Sequence, residues 1–188
     1  MSETTIEGID YGPLACLVGI WKGDSGMDVA PEPDADEHNP YYETITFEAA
    51  GDVTNAEEQT LSVVRYHQVV SRKSNDKVFH DQIGYWLWDP ATDTVVQTLT
   101  IPRAVTLLAG GSASRDGDER VLEVAASAGD SDWTIAQAPF LQSKASTTGY
   151  KHRMSVAGDS LRYSQTTVLE IYGKHAYQHT DENSLSRQ

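Results

Sequence analysis

The stretch TTGYKHRMSVAGDSLRYSQTTVL, residues 147–169, reads as two strands and the turn that joins them. Side chains two apart on an extended chain share a face. In the first half, Thr148, Tyr150, His152, Met154 and Val156 form one face, and Gly149, Lys151, Arg153 and Ser155 form a wet one. In the second half, Leu161, Tyr163, Gln165, Thr167 and Leu169 turn inward. The residues AGDS at 157–160 supply turn chemistry between them. The inward set mixes aliphatic, aromatic and hydrogen-bonding residues. A tight sandwich core would be more uniformly Val, Ile and Leu. A mixed lining suits a barrel whose cavity holds a small amphipathic ligand. The bland alternative is a small barrel with satisfied polar groups inside.

On either side of this stretch the same alternation recurs. Strands are expected at Leu17–Asp24, Tyr41–Ala49, Leu61–Val70, Val78–Trp88, Thr94–Ile101, Ala104–Ala109, Arg120–Ala126, Lys144–Val156, Ser160–Leu169 and Tyr172–His179. Turn residues separate them: AAGD at 49–52, KSND at 73–76, DPATD at 89–93, AGGS at 109–112, RDGD at 115–118 and AGD at 128–130. The helix signal is weak except at Tyr11–Gly19, where Pro13 suits a first turn. Many short strands with tight turns predict an all-β fold, an antiparallel barrel of about ten strands with a short N-terminal helix. One domain over residues 1–188 accounts for the length. Residues 27–40 hold three prolines and five acids and are expected as a solvated acidic loop. Residues 1–10 and 181–188 are expected to fray.

The formal net charge of −14 and pI near 4.6 disfavour phosphate backbones and anionic membrane surfaces. The one short basic stretch, SRKSNDK, reads as a turn. No nucleic-acid or membrane partner is expected. The single cysteine, Cys16, excludes an internal disulfide and suits a reducing compartment. The opening MSETTIEGID lacks a basic region followed by an apolar run, so a cytoplasmic location is expected.

No GxGxxG, P-loop, HExxH or GxSxG pattern is present. Gly110–Gly111 does not lead into a helix, so it is not a phosphate cradle. Paired acids such as Asp34, Asp36 and Glu37 read as solvating charges. Of the six histidines, His80, His152, His175 and His179 fall on candidate inward faces. A lone histidine in a barrel is more often a hydrogen-bonded structural residue. An imidazole in an apolar cavity can also ligate a haem iron.

Four segments carry a resemblance to a known family. LVGIWKGDSG resembles the opening strand of nitrobindin-like, fatty-acid-binding-protein-like barrels. VFHDQIGYWLWD resembles their H-x-E-x-G-Y segment, GDSLRYSQTT their late G-D-x-L-x-Y strand, and HTDENSLSR their closing strand. Together these run from Leu17 to Arg187. The resemblance implies a ten-stranded barrel whose cavity holds haem b, with nitric oxide binding and peroxynitrite isomerisation as activities. By this resemblance His179 is the metal ligand, and His80, Trp21, Trp86, Tyr163 and Thr167 stand near the cofactor. Counted without gaps from Tyr163, the axial position falls nearer Tyr177. Thr167 stands where haem-binding members place a methionine. Two segments depart from the pattern: MDVAPEP after the first strand, and Ile101-Pro102-Arg103 after the fifth. A carrier of a fatty-acid-like ligand without haem, anchored at Arg103, Tyr163 or His80, is the alternative. Barrel faces in such families also permit a homodimer.

Overall fold

Left-handed residues sit at the corners of the hairpins. Asp76, Asp93, Gly117 and Gly158 have φ of 57°, 53°, 59° and 55°, and each lies in a turn foreseen from sequence. Asp and Gly tolerate that conformation best. The computed structural model describes residues 4–34 and 36–188. Two short strands come first, β1 (Thr5–Ile6) and β2 (Ile9–Asp10), followed by a 3₁₀ helix at Gly12–Leu17. Then follow β3 (Gly19–Pro31), β4 (Asp36–Asn55), β5 (Gln59–Arg72), β6 (Val78–Asp89), β7 (Thr94–Ile101), β8 (Val105–Asp116) and β9 (Glu119–Ser127). The chain continues through β10 (Ile135–Gln137), α1 (Pro139–Lys144), β11 (Ala145–Ala157), β12 (Ser160–Ile171) and β13 (Lys174–Arg187).

Ten of these strands close a barrel. Neighbours pair antiparallel from β3 to β9, then β9 to β11, β12, β13 and back to β3. Each of the ten strands read from sequence corresponds to one of them. The short β10 extends the ladder beyond β9 by pairing Ile135–Gln137 with Leu107–Val105 of β8. Neither β10 nor α1 was foreseen.

Several boundaries differ from expectation for physical reasons. Gly51 (φ 86°) marks a bulge inside β4, with a register shift between Ala49 and Asp52, so AAGD is no turn. AGGS at 109–112 runs through the middle of β8. A Cβ on Gly111 would stand 1.9 Å from the Glu123 carbonyl oxygen, so the glycine permits close approach of β9. Where a solvated loop was expected over 27–40, Met27–Pro31 pairs with Pro40–Asp36 as the far end of the β3–β4 hairpin; residue 35 lies outside the described residues. The segment 181–188 belongs mostly to β13 rather than fraying, and Leu185 within it is 2% exposed. Of the first ten residues, those described form the β1–β2 hairpin.

One half of the barrel is filled. Leu14 and Leu17 of the 3₁₀ helix pack on Trp21, Trp86, Leu122, Leu161 and Leu185, all nearly or fully inaccessible. The Trp21 indole donates to the Leu17 carbonyl at 2.7 Å. Arg187 stacks over the Trp21 ring at 4.1 Å and donates to the carbonyls of Cys16 and Val18. This plug leaves the other half, beneath α1 and the β3–β4 hairpin, open to the site.

Candidate functional site

The open half holds a cavity of about 420 Å³. Val70, Leu99, Ile101, Val105, Leu107, Leu169 and Ile171 form an apolar wall, and Leu141 of α1 joins it. Asp28, Tyr41, Gln68, His80, Gln82, Gln165, Thr167, His179 and Asp181 contribute polar atoms, and Arg72 and Arg103 contribute cations.

The polar side is organised around the seam between β3 and β13. Only Ser186↔Lys22 and Arg187↔Trp21 pair there. Beyond Gly23 a bulge in β3 changes its register with β4, and side chains bridge the seam instead. Ser25 Oγ bonds Asn183 Oδ1 at 3.0 Å. Further along, His179 Nε2 donates to Asp28 Oδ1 at 2.7 Å, with Asp181 Oδ2 at 3.7 Å. Asn39 Nδ2 donates to the other Asp28 oxygen at 3.2 Å.

Burial opposes charge on each of these groups, and the partners decide the outcome. For His179 the Asp28 bond and the charges of Asp181 and Asp28 outweigh burial and raise its pKa. The same contact holds Asp28 below the usual carboxylate range despite burial. For Asp181 burial wins. It is pushed up to about 6, with the neighbouring Asp28 adding to the shift. The arrangement is an imidazole ring between two carboxyl groups.

Deeper in, Glu43 is 2% exposed and accepts from Gln68 Nε2 at 2.6 Å and Asn183 Nδ2 at 2.7 Å. Burial raises its pKa against those donors. Tyr163 reaches the same carboxylate at 3.3 Å and shares a 3.0 Å hydrogen bond with the Tyr41 hydroxyl. His80 lines the cavity with Nε2 3.2 Å from Gln82 Oε1, and burial lowers its pKa.

The structure therefore brings together His179, His80, Tyr163 and Thr167 along the cavity. It separates the others. Trp21 and Trp86 are fully buried in the filled half and do not line this cavity. Tyr177 lies outside it, with the Lys174 ammonium over its ring at 5.0 Å. His175 is 86% exposed and bonds Glu170. Ala176 at φ 48° breaks the regular alternation, so His175 and His179 have different surroundings. Sequence reasoning missed Asp28, Tyr41, Glu43, Gln68 and Asp181. Asp181 was legible as the residue two beyond His179 on the same face. Asp28 was hidden by the acid- and proline-rich composition around it.

Comparison with known proteins follows the same lines. In the crystal structure of Rv2717c from M. tuberculosis the fold recurs, with a TM-score of 0.69 and 24% identity over 93% of this chain and 94% of that one. No curated protein matches the chain. The sequence profile described as THAP4-like, heme-binding beta-barrel domain matches residues 10–187. With nearly the whole length matched, the chain belongs to the THAP4-like, haem-binding β-barrel family.

Proposed function

We propose that this barrel binds a small amphipathic molecule in its open half, as a carrier or sensor. The observation that carries the reading is the pairing of an apolar wall with a polar one across about 420 Å³. That volume lies within the range of small-molecule sites, roughly 300–1,000 Å³. The ligand's apolar body would lie against Leu99, Ile101, Val105, Leu107 and Leu169. Its polar head would meet Tyr41, Tyr163, His80 or Arg103.

Family membership favours haem b as a second reading, with His179 as the iron ligand. The apolar wall suits a macrocycle. Its iron would have to compete for Nε2 atoms that are already engaged. An axial imidazole must be neutral and offer a lone pair to the metal. Here His179 Nε2 is bound to Asp28, and a haem iron taking that nitrogen would leave the buried Asp28 carboxylate without its partner. His80 Nε2 is engaged by Gln82. The residues as arranged do not fit haem ligation. Nitric oxide binding and peroxynitrite isomerisation both need that iron, so they lose their footing with it.

Hemin titration of the wild type and of Asp28→Asn tests this directly, read by visible absorption. The expected result is no sharp Soret band in the wild type and a gain of one in Asp28→Asn, where the weaker acceptor frees the imidazole. A sharp wild-type band that disappears in His179→Ala would establish the haem reading instead.

A further inference from the structure

We infer that Asp28, His179 and Asp181 form a binding site for one divalent transition-metal ion, open to the cavity. One donor atom from each lies within 4.8 Å of the other two. Among the described residues no other His, Cys, Asp and Glu side chains gather in this way. Asp28 comes from β3, and His179 and Asp181 come from one face of β13, so the fold assembles the set across its split seam.

The geometry is close to what an ion needs. Ligand atoms about 2.1 Å from a tetrahedral zinc stand roughly 3.4 Å apart. His179 Nε2 lies 2.7 Å from Asp28 Oδ1 and 3.7 Å from Asp181 Oδ2, which brackets that spacing. Small side-chain rotations would admit the ion. The charge also balances. Two carboxylates face one imidazole, and Asp28 is only 5% exposed. A dication held by a neutral imidazole and two carboxylates leaves no net charge in the site. The proton on Nε2 goes to solvent as the nitrogen takes the metal.

Outer contacts hold the first ligand in place. Asn39 donates to the free oxygen of Asp28 at 3.2 Å, and Arg72 Nε donates to Asn39 Oδ1 at 3.1 Å. Such second contacts orient metal ligands. The cavity side leaves coordination positions for water or for the head of a ligand, the pattern of open sites and not of closed structural ones. One imidazole with two carboxylates suits zinc, iron or manganese better than a thiolate-seeking ion. The site stands whether or not the cavity also holds an organic molecule.

The test uses the full chain after chelator treatment, titrated with Zn²⁺ in a calorimeter. Co²⁺ serves as a visible-absorption probe. The expected result is one ion per chain, with d–d bands for Co²⁺ that vanish on adding Zn²⁺. Asp181→Asn and His179→Gln should each weaken binding at least tenfold, while His175→Ala, at an exposed pair on the same strand, leaves it unchanged. Unfolding temperatures of both variants confirm that they fold, and the cobalt spectrum of the wild type reads the site without any variant. Absence of saturable binding, or full binding retained in both Asp181→Asn and His179→Gln, overturns the inference.

Discussion

At His152 burial outweighs the ring's basicity. Its side chain packs against Trp86, Tyr150 and Tyr163. Nδ1 lies 3.2 Å from Gln97 Oε1, and among the described residues Nε2 has no partner. Burial pushes its pKa down to about 4. An unfolded chain takes up this proton below about 6.5, while the folded chain refuses it down to about 4. Between those values the unfolded state binds more protons, so stability falls as pH falls through the window. The loss reaches about 3 kcal/mol at the acid end. Thermal unfolding at pH 7 and pH 4.5 should show a steeper decline for the wild type than for His152→Gln; equal declines would contradict it. Arg187 is the other residue with a large individual role, because three contacts converge on it at the plugged end. Arg187→Ala is expected to cost about 2 kcal/mol, through the lost carbonyl bonds and ring contact. Its pairing with Asp159 adds little, since that acid is 84% exposed. Chemical denaturation measures the sum.

Among the elements, β6 and β7 show how closely the strands approach. A Cβ on Gly84 would fall 1.9 Å from the Thr98 carbonyl oxygen, which is backbone and cannot swing aside. Gly84→Ala should therefore cost about 3 kcal/mol, read as a lowered denaturation midpoint. A neutral effect would mean that the β6–β7 ladder can spread to admit the methyl group. The strands themselves were legible because inward and outward residues alternate over long runs, as in Leu161 to Leu169. The hairpin tip at 27–40 was not, because a paired edge can carry Asp and Pro when its outer face is wet. The short β10 is only three residues long, too brief for alternation to show. Pro139 at the start of α1 is the kind of signal that marks a first helical turn, but six residues are too few for a periodic pattern.

In the whole molecule one end is plugged and the other hollow, and that asymmetry decides what the protein can do. The barrel was readable from turn spacing and alternation. The cavity followed from the mixed inward faces, and His80, Tyr163, Thr167 and His179 from their places on them. The state of His179 was not readable, because its partner Asp28 lies 151 residues away. Only closure of β13 against β3 brings the two together. The same closure ties the candidate ion site to the cavity wall, so an occupant of one should sense the other. The function proposed for the hollow end depends on its taking an amphipathic ligand. The decisive experiment is titration of a fluorescent fatty acid into the wild type and into Thr167→Trp, whose new indole would fill the cavity. One saturable site in the wild type, weakened at least tenfold in a Thr167→Trp protein that still unfolds cooperatively, is the predicted result; no saturable binding, or equal binding to both, would contradict it.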